Sequence, residues 1–158
     1  MSTVTASIHL AAPPERVWQL VMDPNRLGEW VTIHRKLIRS DIGPPRQGFE
    51  MDQQLQLRGV RLDVRWQLVE FRESELAVWE GHGPAGSRAH SEYRLHAEGS
   101  GTRFDYRNEF RPPLGVVGAI ASRALARGMP ERQAQQTLER LRILIERSYR
   151  PDDTSDTA

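Results

Sequence analysis

Cysteine is absent from the 158 residues. That excludes disulfides, thiolate metal sites and a cysteine nucleophile, and it suits a reducing compartment. Lysine is nearly absent as well: Lys36 is the one lysine among 22 basic side chains, a bias that a GC-rich coding sequence explains without any arginine-specific function. A surplus of one charge sign is missing too, since 21 acidic residues oppose the basic ones. Nothing in that balance points to nucleic acid or to an anionic membrane. Long apolar runs are lacking. The longest apolar-leaning stretch, "PLGVVGAIASRALA", is interrupted by Arg123 and is too short to span a bilayer. "MSTVTASIHL" has no basic n-region and no apolar core, so no secretory signal is expected. No nucleophile elbow, phosphate-cradling glycine loop or dinucleotide fingerprint occurs; "GHGPAG" precedes a strand pattern and reads as a hairpin loop. The expectation is a cytoplasmic protein of one domain, residues 1–150, with a disordered polar tail at 151–158.

What is present is dense punctuation and clear alternation. "TVTASIHL" puts Val4, Ala6, Ile8 and Leu10 on one side of a half-buried strand. "APPERVWQLVMD" then predicts a short helix with Pro14 in its first turn, Glu15 near the positive end of the dipole, and a stop imposed by Pro24. "NRLGEW" is a further short turn or helix that delivers Trp30. From about His34 to Pro112 the chain reads as strand after strand. In "VRLDVRWQLVEF", Val60, Leu62, Val64, Trp66 and Leu68 alternate with Arg61, Asp63, Arg65 and Gln67. In "RAHSEYRLH" and "TRFDYRNEF", the inward set is Ala89, Ser91, Tyr93 and Leu95, then Phe104, Tyr106, Asn108 and Phe110. One face is apolar and aromatic; the other carries mixed charges, most simply cross-strand pairs on a wet surface. A helical pattern follows from Leu114 to about Tyr149, which Pro130 should kink or break, with Glu131 favourable at the restart.

These pieces predict an α+β layout. A twisted, curved sheet closed by one helix is not filled by that helix, so a largely apolar cavity is expected. The motifs "APPERVWQLVMDPNRLGEW", "VRWQLVEF", "YRL" and "GTRFDYRNEF", with the amphipathic C-terminal helix, resemble the START-like, Bet v 1-like superfamily in its bacterial polyketide cyclase/dehydrase and lipid-transport branch. The resemblance spans roughly Thr3 to Arg147. It implies a helix-grip fold: a curved antiparallel sheet of about seven strands wrapped around a long C-terminal helix, with two short helices after the first strand. Those helices would form a V supporting the sheet, with Trp30 at the cavity edge.

The strand phases and the resemblance together nominate a ligand-binding set. It comprises Trp30, His34, Leu62, Val64, Trp66, Glu70, Trp79, Ser91, Tyr93, Phe104, Tyr106, Asn108 and Phe110, with Ala121 and Leu125 from the helical segment. Strict alternation puts Glu70 inward at the strand end, at a pocket mouth or simply in water; the second is favoured because buried carboxylates are rare unless paired. Tyr93 and Tyr106 could donate to a ligand carbonyl, or be core phenols satisfied by Asn108 or Ser91. "LAVWEGHG" leaves two phases open, Ala77, Trp79 and Gly81 inward or Leu76, Val78, Glu80 and His82. The first is preferred, because a tryptophan on the wet face would be a liability. No histidine pair has metal-site spacing, so neither a metal nor a cofactor is expected. His34 is a candidate general base, and Tyr106 a second catalytic candidate.

The expected function is binding of a hydrophobic, lipid- or polyketide-like molecule, as carrier or sensor, between sheet and helix. The expected partners are that ligand and, at most, a second copy of the chain, with no nucleic acid and no membrane insertion. The alternative is a polyketide cyclase/aromatase or dehydratase acting on a poly-β-carbonyl chain in the same cavity. Cyclases of this kind tend to place an arginine among the pocket aromatics, whereas the strand arginines here fall on the opposite phase. An interaction-only role would predict an exposed apolar patch or a one-sign stripe, and the sequence shows neither clearly.

Overall fold

The computed structural model describes residues 2–112 and 127–149. Seven strands form one antiparallel sheet: β1 (Ser2–Leu10), β2 (His34–Ser40), β3 (Glu50–Leu57), β4 (Val60–Arg72), β5 (Leu76–His82), β6 (Arg88–Glu98) and β7 (Gly101–Arg111). Their spatial order is β1-β7-β6-β5-β4-β3-β2. Six strands run as a meander, and β1 returns to pair with β7, Ser2 opposite Phe110 and Leu10 opposite Thr102. Between β1 and β2 lie α1 (Pro14–Val21), a 3-10 turn at Pro24–Arg26 and the single-turn α2 (Leu27–Trp30). The last described element is α3 (Glu131–Ser148).

Proline sets these boundaries. Pro14 opens α1, where its missing N–H is no loss. Asp23 then caps the 3-10 turn by accepting the Asn25 amide at 3.0 Å. Pro130 is extended and stands as the N-cap of α3, directly after Gly128 at φ +64° and Met129. The helical pattern is therefore broken here and restarts at Glu131, rather than being kinked. The part of the pattern that includes Ala121 and Leu125 lies outside the described residues, as does the 151–158 tail.

Alternation in β1, β6 and β7 matches burial residue for residue on the inward face. The outer face carries ion pairs such as Arg65–Asp52 at 3.0 Å, His90–Glu80 at 2.6 Å and His96–Asp105 at 3.0 Å. Arg65 and Arg39 hold the Asp52 carboxyl below the usual carboxylate range. Solvent screening leaves such surface pairs only a small share of the stability.

Trp30 is completely buried. Its ring meets Tyr93, Phe104 and Tyr106 edge-on, with centroids 5.7, 6.1 and 6.3 Å away. The proline-punctuated turns thus press one large ring onto the aromatic strip of β6 and β7. That geometry adds about 0.5–1.5 kcal/mol per pair beyond area burial. Trp30 is the hub of the core, not a cavity-edge residue. Thr32, just after it, fastens α3: its amide donates to Thr137 Oγ1 at 3.1 Å and its hydroxyl to Gln133 Oε1 at 2.9 Å.

An enclosed aromatic chamber and an outer cleft

Under the sheet is a small chamber lined by buried side chains. Trp66, Trp79, Ser91, Tyr93, Tyr106, Asn108 and Phe110 line it from β4 to β7. Met51, Gln53 and Leu55 of β3 complete the sheet side, and Leu27, Val31 and Ile33 close it from α2 and the residues after it. Its volume is about 30 Å³, far below what a drug-sized ligand needs. Gly81 is what lets Trp66 lie flat here, since a Cβ on Gly81 would stand 2.9 Å from Trp66 Cε3.

Seven of the expected site residues therefore meet in one wall. Leu62, Val64 and Phe104 are buried in the core without lining the chamber. Glu70 leaves the ligand-binding set and faces water, the reading favoured for it, though not by simple alternation. The β4–β5 register slips between Leu68, opposite Trp79, and Glu70, opposite Val78, so one extra residue is accommodated at Val69. That bulge reverses the alternation: Glu70 faces water, and Phe71 takes the inward phase. On β5 the preferred phase holds for Ala77, Trp79 and Gly81. Leu76 and Val78 are nevertheless also buried, outside the contiguous core. Their neighbours across the strands are Arg72, Arg94, Glu70 and Glu92, whose stems are long enough to shield them.

The chamber wall carries two donor-only indoles, Trp66 and Trp79, and the hydroxyl and amide groups of Gln53, Ser91, Tyr93, Tyr106 and Asn108, which both donate and accept. Burial drives the Tyr93 phenol far above its ordinary pKa, and the neighbouring Tyr106 adds to the rise; the Ser91 hydroxyl offsets part of it. Tyr106 is pushed up to about 12 by burial, opposed by its hydrogen bond with Asn108. Both phenols stay protonated at any physiological pH, so Tyr106 is a hydrogen-bond donor and not a base. Trp79 lines the chamber, and its buried indole Nε1 has no hydrogen-bond partner among the described residues; Trp30 Nε1 shares that state.

His34 lies beside the chamber, at the start of β2. Trp66 Nε1 donates to Gln53 Oε1 at 2.8 Å, and Gln53 Nε2 lies 2.7 Å from His34 Nδ1. An indole nitrogen only donates, so it fixes which end of the Gln53 amide is oxygen. The Gln53 NH₂ must then donate to His34, which leaves Nδ1 as acceptor and places the ring proton on Nε2. Burial lowers the His34 pKa below its usual value, in keeping with a neutral ring. His34 is thus held as an N–H donor, which overturns the general-base expectation. Gln53 was missed in the sequence, although "EMDQQLQL" carries the signal: it shares the phase of Met51, Leu55 and Leu57.

A second, larger hollow opens at the end of the sheet where α1 and the 3-10 turn face the β2–β3 loop. It holds about 620 Å³, and its apolar walls are Trp18, Met22, Phe49 and Phe71. Phe49 meets Trp79 edge-on at 6.2 Å, so this ring pair stands between the outer cleft and the inner chamber.

Over residues 1–146 the sequence matches the polyketide cyclase/dehydrase and lipid transport family. The chain belongs to that family. Among its relatives is Toxin Rv0910 of Mycobacterium tuberculosis, 27% identical over 128 residues, covering 79% of this chain and 88% of the relative. The uncharacterised protein Rv1546 of the same organism is 24% identical over 144 residues, covering 88% and 98%. The crystal structure of TTHA0849 from Thermus thermophilus superimposes with a TM-score of 0.72 at 17% identity, covering 94% of this chain and 99% of that one. At that identity the likeness establishes the helix-grip fold and no more. No helix among the described residues is long and apolar enough to cross a membrane.

Proposed function

We propose that this protein is a carrier or sensor for an apolar small molecule bearing a carbonyl or other acceptor, which it takes into the chamber between the sheet and α2. One observation carries the reading: a space lined by buried, largely apolar side chains has its hydrogen-bonding atoms gathered on the sheet wall, with the Trp79 N–H unpartnered among the described residues. A buried donor without a partner costs about 1–3 kcal/mol, and a ligand acceptor would recover it. Family membership supports the same ligand class. A drug-sized ligand needs about 300 Å³ or more, so binding includes an opening step in which the chamber walls part.

The alternative, a cyclase or dehydratase, needs a group that takes a proton from the substrate. Among the candidates named in the sequence, His34 offers N–H and Tyr106 stays protonated, which favours binding over catalysis. The test is native mass spectrometry of protein purified from its own host, followed by titration of the released molecule into the wild type and Trp79→Phe. Expected are a co-purifying apolar, oxygenated metabolite and a roughly 5- to 10-fold loss of affinity in the variant. If no apolar ligand co-purifies, raises the Tm or moves the Trp79 resonance, the reading fails.

A further inference from the structure

We propose that the outer cleft is a second binding site, separate from the chamber, and that it takes an apolar cation: a hydrophobic body carrying a protonated amine. This goes beyond the chamber reading and does not depend on it. The cleft's 620 Å³ lies in the range of small-molecule sites, about twenty times the chamber's volume. Trp18 and Phe71 form a tilted ring pair, centroids 5.7 Å apart, along one wall. Ile42, in the loop opposite, is 93% exposed, the most exposed large apolar side chain among the described residues. An apolar ligand seated against Trp18 and Phe71 would cover it.

Charge selects the kind of ligand. Asp23, Asp41 and Glu73 all border the cleft, and no arginine, lysine or histidine does among the described residues. This occurs in a chain whose basic residues outnumber its acidic ones. The arginines nearest in sequence make their closest contacts with other groups: Arg26 with Glu29 at 2.6 Å, while still feeling Asp23, Arg72 with Glu75 at 4.0 Å, and Arg46 with the Pro44 carbonyl at 3.4 Å. Asp41 is partly compensated, with Arg39 at 3.6 Å and the Glu50 amide on its other oxygen at 2.9 Å. Asp23 uses one oxygen to cap the 3-10 turn, and Glu73 has no ion-pair partner among the described residues. Aromatic faces beside carboxylates that are at most partly compensated favour a cation on two grounds, ring quadrupole and Coulomb attraction. The same carboxylates would repel a fatty acid.

The experiment compares three matched probes, 1-naphthylmethylammonium, 1-naphthalenemethanol and 1-naphthoate, by titration with NMR detection of the four tryptophan indole N–H signals. The ammonium should bind about tenfold more tightly than the alcohol, shift Trp18 and leave Trp79 in place, with the naphthoate weakest. Salt should weaken only the ammonium. The double variant Asp23→Asn, Glu73→Gln should bring ammonium and alcohol to equal affinity; asparagine still caps the turn, so the fold is kept. Trp79→Phe should leave ammonium binding unchanged, which separates this site from the chamber whether or not the chamber reading survives. Equal affinities in the wild type, a preference for naphthoate, or shifts centred on Trp79 would overturn the proposal. So would sedimentation showing a dimer from which the ammonium probe is excluded, because a second copy would then be the occupant.

Discussion

Trp66 and His34 are coupled through Gln53: an indole N–H at one end of its amide fixes the proton position on an imidazole at the other. The neutral Nε2–H tautomer of His34 follows from two hydrogen bonds and the fact that tryptophan cannot accept. Long-range ¹⁵N–¹H correlation of the histidine ring at neutral pH should show that tautomer. Gln53→Leu should release it to a mixture and leave the Trp66 N–H buried without a partner. The second effect should cost about 1–3 kcal/mol in urea unfolding; a pure Nδ1–H tautomer in the wild type would refute the coupling.

The sign of the pH dependence follows from the same residue. Burial places the folded-state pKa of His34 below its ordinary value of about 6.5. As pH falls, the unfolded chain takes up that proton first. The contribution to stability is therefore complete above about pH 6.5 and is lost as pH falls through the folded pKa. Urea unfolding between about pH 7.5 and pH 5 should show this decline, and His34→Gln should flatten it. Asp52 is also lowered in the folded state, chiefly by the Arg65 hydrogen bond; burial opposes the lowering of Glu92, where the Arg94 hydrogen bond leads, and of Asp105, where the Ser7 hydroxyl leads. The losses from these three carboxylates come at lower pH, below the ordinary carboxylate values, and should persist in the variant.

Two glycines should respond differently to alanine. At Gly81 the new methyl would meet Val64 Cγ1 at 2.8 Å and the Trp66 ring at 2.9 Å, both side-chain atoms that can shift. A cost of about 1–3 kcal/mol is expected, with displacement of the Trp66 indole resonance. At Gly101 the methyl would lie 2.3 Å from the Leu10 carbonyl oxygen, a backbone atom in the β1–β7 ladder. Gly101→Ala should be the worse of the two in thermal unfolding, and a milder effect there would mean that the β1 end yields easily.

Phe49 is 1% exposed and stands against Trp79. Phe49→Ala should cost about 3–5 kcal/mol by leaving a cavity, and the cavity should join the cleft to the chamber. Acrylamide quenching of Trp79, isolated by difference against Trp79→Phe, should rise sharply at temperatures where the variant remains folded. Unchanged quenching would show that other atoms seal the chamber from that side.

Everything that repeats locally was legible in the chain of residues. Period-two alternation named the inward faces of β1, β6 and β7, because successive strand side chains point to opposite faces. Pro14, Pro24 and Pro130 set helix limits, because a missing N–H and a fixed φ act wherever they occur. Family membership was legible for the same reason, since the motifs of the fold are strings of such local signals. The rest waited on three-dimensional packing. Glu70 left the inward set because a single-residue bulge, invisible to periodicity, reversed the phase after Leu68. Trp30 became the hub of the aromatic core through chain path, not composition. The His34–Gln53–Trp66 relay joins three strands whose register no local pattern specifies. The chamber volume is a small remainder between the space the sheet encloses and the side chains that fill it. Such a remainder depends on every packed atom at once, which is why its size could not be read from local pattern.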